Sequence, residues 1–180
     1  ILGGQGLDTL FGGLDNDTLD GGADNDTVWG EVGDDSLSGG TGQDSVEGGI
    51  GNDTIDGGAD NDTLWGQADQ DNIQGGTGQD TVYGGDANDL LDGGAGGDSL
   101  LGEVGDDSIL GSAGNDLAVG DVGNDTVDGG ADNDDLYGGA DDDSLIGGQG
   151  LDRLYGDVGT DTLDGGADGV LAGPGGGLGG

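Results

Sequence analysis

The sequence predicts an all-β fold, a parallel β-solenoid of about nine coils. Three observations predict it. A nine-residue unit repeats without insertion or deletion from Gly3 to Asp164, giving 18 units over 162 of the 180 residues. One position of every unit is aspartate, and another is almost always a large aliphatic residue. Glycine recurs at the positions between them.

Each part of the unit has a physical reason. The first position is Gly in all 18 units, and the second is Gly in 12, with Glu31, Gln67, Glu103, Ser112, Asp121 and Asp157 in the others. The fourth is Gly in 11 units, Asp in six and Ala87 in one. Tight turns need positive φ, which Gly supplies without steric cost and Asp tolerates better than most residues. Ala87 is the residue expected to fit worst. The seventh to ninth positions mostly read Thr or Ser, aliphatic, variable, which makes a short strand with its middle side chain pointing inward. The unit is therefore expected to be a six-residue turn followed by a three-residue strand. The inward eighth position is Leu, Ile or Val in 17 units and Ala118 in one. One such strand cannot bury its apolar residue alone. Two units form a coil of 18 residues with a strand on each side, and nine coils about 4.8 Å apart give a rod of about 43 Å.

The composition states what such a rod requires. There are 51 glycines and 40 acidic residues against a single basic one, Arg153, for a formal net charge of -39. Only 29% of residues are hydrophobic, so self-repulsion opposes a thin core. Either the chain is disordered, or something cationic neutralises it. Nucleic acid is excluded as a partner for want of basic residues. No apolar run is long enough to span a bilayer. With no Cys there is no disulfide or thiolate metal site, and with no His a soft or borderline site of the zinc type is not expected. The abundant donors are carboxylates and backbone carbonyls, which suit hard cations such as Ca2+. A nucleophile–base pair has almost nothing to be built from, so no enzyme activity is expected.

The unit resembles the RTX (repeats-in-toxin) nonapeptide of bacterial secreted proteins, G-G-x-G-x-D-x-U-x with U a large aliphatic. The match runs over about nine tenths of the chain. The resemblance implies a right-handed parallel β-roll (β-solenoid) of about nine 18-residue coils, two sheets of short strands joined by calcium-binding turns. It divides the chain into a roll over 1–164 and, over 165–180, a degenerate final unit with Val170 where Asp is required and a Gly-rich tail from Gly173 to Gly180 expected to be flexible.

The sixth position is the candidate metal ligand. Asp8, Asp26, Asp44, Asp62, Asp80, Asp98, Asp116, Asp134 and Asp152 are expected along one edge of the rod. Asp17, Asp35, Asp53, Asp71, Asp89, Asp107, Asp125, Asp143 and Asp161 are expected along the other. Carboxylates one coil apart repel unless a cation lies between them. The resemblance implies one oxygen from each of two such Asp residues plus turn carbonyls, with second-position side chains left out of the ligand set, which would explain why Glu31 or Gln67 can replace Gly there. Nine turns leave eight gaps on each edge, hence about 16 Ca2+ ions, and sixteen dications would bring -39 to about -7. Extracellular calcium modules bind at about 10⁻⁴–10⁻³ M, so millimolar calcium contributes roughly 1–2 kcal/mol per site. The chain is therefore expected to be disordered without calcium and to fold with it.

The outward ninth position distinguishes two faces. Every second unit supplies one sheet, and on one sheet this column holds all six aromatics, Phe11, Trp29, Trp65, Tyr83, Tyr137 and Tyr155, with Arg153 nearby. The other column holds Asp20, Asp56, Asp92, Asp128 and Asp164. No polar cap is visible at either end, so self-association is expected through uncapped ends or through the aromatic face. The expected function is a calcium-binding structural module that folds outside the cell, as a segment of a secreted filament, surface layer or adhesin stalk. The alternative implied by the resemblance is a C-terminal folding and secretion module of a type I-secreted enzyme or toxin. Either places the protein extracellularly or at the cell surface.

Overall fold

The computed structural model describes residues 1–167, 170–172 and 177–178. The chain winds into a parallel β-solenoid of two sheets, and successive strands alternate between them. An eleven-stranded sheet begins with Leu2–Gln5, and a ten-stranded sheet begins with Thr9–Leu14. Through the repeat, neighbouring strands in a sheet are 18 residues apart and in register, as in Leu10 opposite Val28 and Val28 opposite Val46. The described residues contain no helix, so none that is long and apolar enough to cross a membrane.

The core is the eighth-position column. All 18 of its residues, Leu10 to Leu163, are at most 4% exposed and form one continuous cluster. Ala118 lies between Leu100 and Leu136 in register, so the single small residue sits between two large ones. Each coil contributes one inward side chain per sheet, which makes the core narrow and continuous along the rod.

The strands are longer than expected. Most run six residues, from the seventh position of one unit to the third of the next, as in Thr27–Val32 and Thr63–Ala68. This corrects the six-residue turn to a three-residue one at positions four to six. The glycine-rich half of the unit also pairs between coils, Glu31 opposite Gly49 and Val32 opposite Ile50, alongside Val28 opposite Val46.

The second position has positive φ in all 18 units, including the six where it is not Gly, whose φ lies between 62° and 82°. Each substituted residue holds a left-handed conformation at a cost of about 1–2 kcal/mol. At the fourth position the six Asp residues and Ala87 have φ of 75–86°, whereas Gly78 and Gly105 reach 148° and 155°. Asp and Gly turns are thus different conformations, and Ala87, at 86°, has no side-chain oxygen to compensate it.

Beyond the repeat, Val170–Ala172 pairs with Asp152–Leu154, and Gly177–Leu178 pairs with Thr162–Leu163, adding one strand to each sheet. Apart from Gly177–Leu178, the tail expected to be flexible lies outside the described residues.

Candidate metal centre

The sixth-position aspartates line both edges of the rod, at the end of each three-residue turn. Fifteen of them, Asp26 to Asp152, are at most 4% exposed, while Asp8, Asp17 and Asp161 in the end coils are half-buried. Their side chains turn inward over the first-position glycine of their own unit. A Cβ on Gly21 would lie 2.7 Å from Asp26 Oδ2 and 2.7 Å from the Gly39 carbonyl oxygen. The first position is therefore glycine for lack of space, because its φ is not positive.

Within each edge the aspartates are connected. The backbone N–H of each donates to Oδ1 of the aspartate one coil further on, from Asp8 to Asp26 Oδ1 at 2.7 Å through to Asp143 to Asp161 Oδ1 at 3.2 Å. The same bond recurs in every gap, for example Asp53 to Asp71 and Asp71 to Asp89, both at 2.8 Å. Oδ1 is thereby fixed. Oδ2 is buried without any hydrogen-bond partner in 17 of the 18 aspartates, all except Asp17. A buried carboxylate oxygen with nothing to accept from is costly, and here the cost recurs at every coil.

The protonation behaviour reflects that environment. Burial first, and then neighbouring carboxylates, push Asp62, Asp71, Asp89 and Asp134 up to about 7, against the backbone hydrogen bond that lowers them. Asp53, Asp98, Asp116, Asp125 and Asp143 rise to about 6 for the same reasons. These nine carboxyls resist holding bare charge in the roll, and a cation beside them would relieve that. Among the described residues no three acidic side chains converge on one point. A cation in these rows would take at most two carboxylates and draw its remaining oxygens from the backbone. The unpartnered Oδ2 atoms and the carbonyl-rich turns fit the hard-cation chemistry of Ca2+.

A second ladder, which sequence reasoning missed, runs outside the first. Fifth-position Asn and Asp side chains accept the backbone N–H of the fifth residue one coil on. Asn16 accepts from Asp34 at 3.0 Å, Asp34 from Asn52 at 3.0 Å and Asn52 from Gln70 at 3.1 Å. The backbone hydrogen bond from Asn52 holds the exposed Asp34 carboxyl below its ordinary value. The signal was the recurrent Asn-Asp dipeptide, whose Asn had no assigned role. The Asn of each of the five Asn-x-Thr triplets, Asn16, Asn25, Asn52, Asn61 and Asn124, lies in this ladder.

The outer faces differ as expected in the ninth column, where all six aromatics occupy the ten-stranded sheet. Their rings pair in parallel along the rod: Phe11 on Trp29 at 4.7 Å, Trp65 on Tyr83 at 5.9 Å and Tyr137 on Tyr155 at 4.7 Å. Glu47, between the first two pairs, accepts Trp29 Nε1 at 3.2 Å and Gln67 Nε2 at 2.8 Å. Arg153 lies beside its register partner Asp135, which it meets at 2.9 Å.

With this geometry in hand, comparison with known families gave a match to the model described as RTX calcium-binding nonapeptide repeat (4 copies), over residues 2–37, 29–64, 38–73, 65–100, 101–136 and 137–169. Comparison with curated proteins gave no match.

Proposed function

The chain belongs to the RTX calcium-binding nonapeptide repeat family, and from that premise we propose that it is an extracellular scaffold which calcium folds and stiffens. The β-roll is a structural calcium-binding module. In this reading all 18 sixth-position aspartates are ligands, and each ion lies between successive members of a row, for example Asp53 and Asp71, with turn carbonyls completing its oxygen shell. About 16 such sites follow from eight gaps on each edge. The single observation that supports it best is the run of buried, unpartnered Oδ2 atoms. Calcium supplies positive charge where those oxygens lack a partner. Inside a cell, where free calcium is low, the chain stays unfolded; outside, it closes into a rod. The role that follows is a rigid segment of a secreted filament, surface layer or adhesin stalk, with the aromatic face available for contact.

Circular dichroism of the chain in excess chelator and in millimolar calcium tests this, with sedimentation velocity on the same samples. A coil-like signal in chelator and a cooperative gain of β-signal with calcium are expected. An unchanged β-signal in chelator would show that the roll does not depend on the ion.

A further inference from the structure

The two faces of the rod differ in three adjacent columns. In the ten-stranded sheet the second position holds Glu31, Gln67, Glu103, Asp121 and Asp157, all at positive φ. In the eleven-stranded sheet the same position is Gly in every coil except at Ser112. Residues that are disfavoured in this backbone conformation are thus concentrated on one face, beside the aromatic column. On the far side of them lies the third position, and there the same sheet exposes Leu14, Val32, Ile50, Val104, Val122 and Val158, which are 40–75% exposed. The third position of the eleven-stranded sheet is Ala, Thr or Gln throughout. One face therefore carries an aromatic stripe, a polar and mainly acidic stripe, and an aliphatic stripe interrupted by Asp86, side by side. A groove of about 270 Å³ crosses it between the rings of Trp65 and Tyr83 and the side chains of Gln67, Asp86 and Glu103.

Exposed apolar columns rimmed by polar residues mark an interaction surface, and the charge between them selects the occupant. A second copy would bring the same carboxylates against their own kind, with Arg153, already paired to Asp135, as the sole basic residue. An anionic membrane is repelled for the same reason. Sugar rings need open aromatic faces, and in all three pairs the rings cover one another. We propose that this face docks a cationic amphipathic polypeptide, whose basic side chains meet Glu31, Glu103, Asp121 and Asp157 and whose apolar side chains lie on the aromatic edges and the aliphatic column. The second-position residues are kept at positive φ because they supply the charge between the two apolar stripes.

The chain contains two tryptophans, Trp29 and Trp65, and both lie on this face, so their emission reports its occupation. The calcium-loaded chain is titrated with a synthetic amphipathic Leu/Lys peptide, with a Leu/Glu peptide of the same pattern, and with a Ser/Lys peptide of the same charge. A triple variant, Glu31→Gly, Glu103→Gly and Asp121→Gly, is compared with Asp20→Ser, Asp56→Ser and Asp128→Ser, which removes as many charges from the opposite face. Binding of the Leu/Lys peptide alone is expected, weakened at least tenfold by the glycine variant and less than twofold by the serine variant. The glycine variant is also expected to unfold at a higher denaturant concentration, because glycine relieves the left-handed backbone. Equal weakening by both variants would reduce the effect to general charge attraction and overturn the proposal. So would an absence of binding, or binding of the Ser/Lys peptide equal to that of the Leu/Lys peptide. A calcium-dependent dimer in sedimentation that Trp29→Ser with Trp65→Ser abolishes would make a second copy the occupant, and would also overturn it.

Discussion

Asp71→Asn is predicted to stabilise the roll without calcium and to lose most or all of that gain in calcium. Asp71 is 4% exposed, its Oδ1 accepts the Asp53 N–H at 2.8 Å, and its Oδ2 has no partner. Burial, then the charges of Asp89, Asp53 and Asp69, raise it from 3.8 to about 7. The folded chain thus holds this proton more tightly than the unfolded one. The stability gained is full below about 3.8 and is lost as pH rises through about 7. Above that pH the metal-free roll must bury a charge, at a cost of about 4 kcal/mol for this interval at about 1.4 kcal/mol per pH unit. Asparagine keeps an acceptor for the Asp53 N–H and removes the charge. In chelator at pH 8, Asp71→Asn should therefore stabilise the roll by up to about 4 kcal/mol. In calcium that gain is offset, because Asp71 faces the gaps to both Asp53 and Asp89 and two sites lose a carboxylate, a loss of about 2–4 kcal/mol at roughly 1–2 kcal/mol per site, which leaves a net change of about 0–2 kcal/mol. Trimethylamine oxide, which strengthens burial, drives the metal-free chain to fold, and the amount needed reports the first effect. Urea unfolding in millimolar calcium reports the second. If the variant is weaker in both conditions, Asp71 acts only through its hydrogen bond to the neighbouring coil, and the reasoning fails.

Three further outcomes follow from the same geometry. In chelator the chain should gain β-signal as pH falls from about 7 towards 4, because Asp62, Asp89 and Asp134 at about 7 and Asp53 and Asp125 at about 6 bind protons more tightly when folded; a flat circular-dichroism profile over that range would contradict the burial of these groups. Ala87→Gly should raise stability in calcium by about 1 kcal/mol, read by urea unfolding, because Ala87 holds a φ of 86°. Gly21→Ala should destabilise by about 1–3 kcal/mol and lower the calcium stoichiometry in calorimetry, since its Cβ would press on Asp26 Oδ2 and the Gly39 carbonyl.

The aspartate rows were legible in the sequence because period and phase are local properties. A residue at the sixth place of every unit returns to the same edge whatever the details of the turn. Asn52 and Gln70 share that 18-residue phase, but which of their atoms bond across the coils was not legible until the structure placed the side chains. The pairing of Arg153 with Asp135 was hidden for the same reason. The three-residue strand was misjudged at Glu31 and Val32, because glycine-rich sequence reads as turn until its backbone groups find partners in the coil above.

By itself, the sequence determined the nine-residue phase, the inward column from Leu10 to Leu163 and the aromatic column at the ninth position. These depend on side-chain alternation along one strand. Only the tertiary structure decided why Gly21 has no room for a side chain, that Glu31 and Gln67 hold positive φ on the aromatic face, and that Leu14, Val32 and Ile50 line up beside them. Those facts concern residues of adjacent coils, or the backbone angle that winding imposes. Neither exists until the chain has turned once and the next coil rests against it.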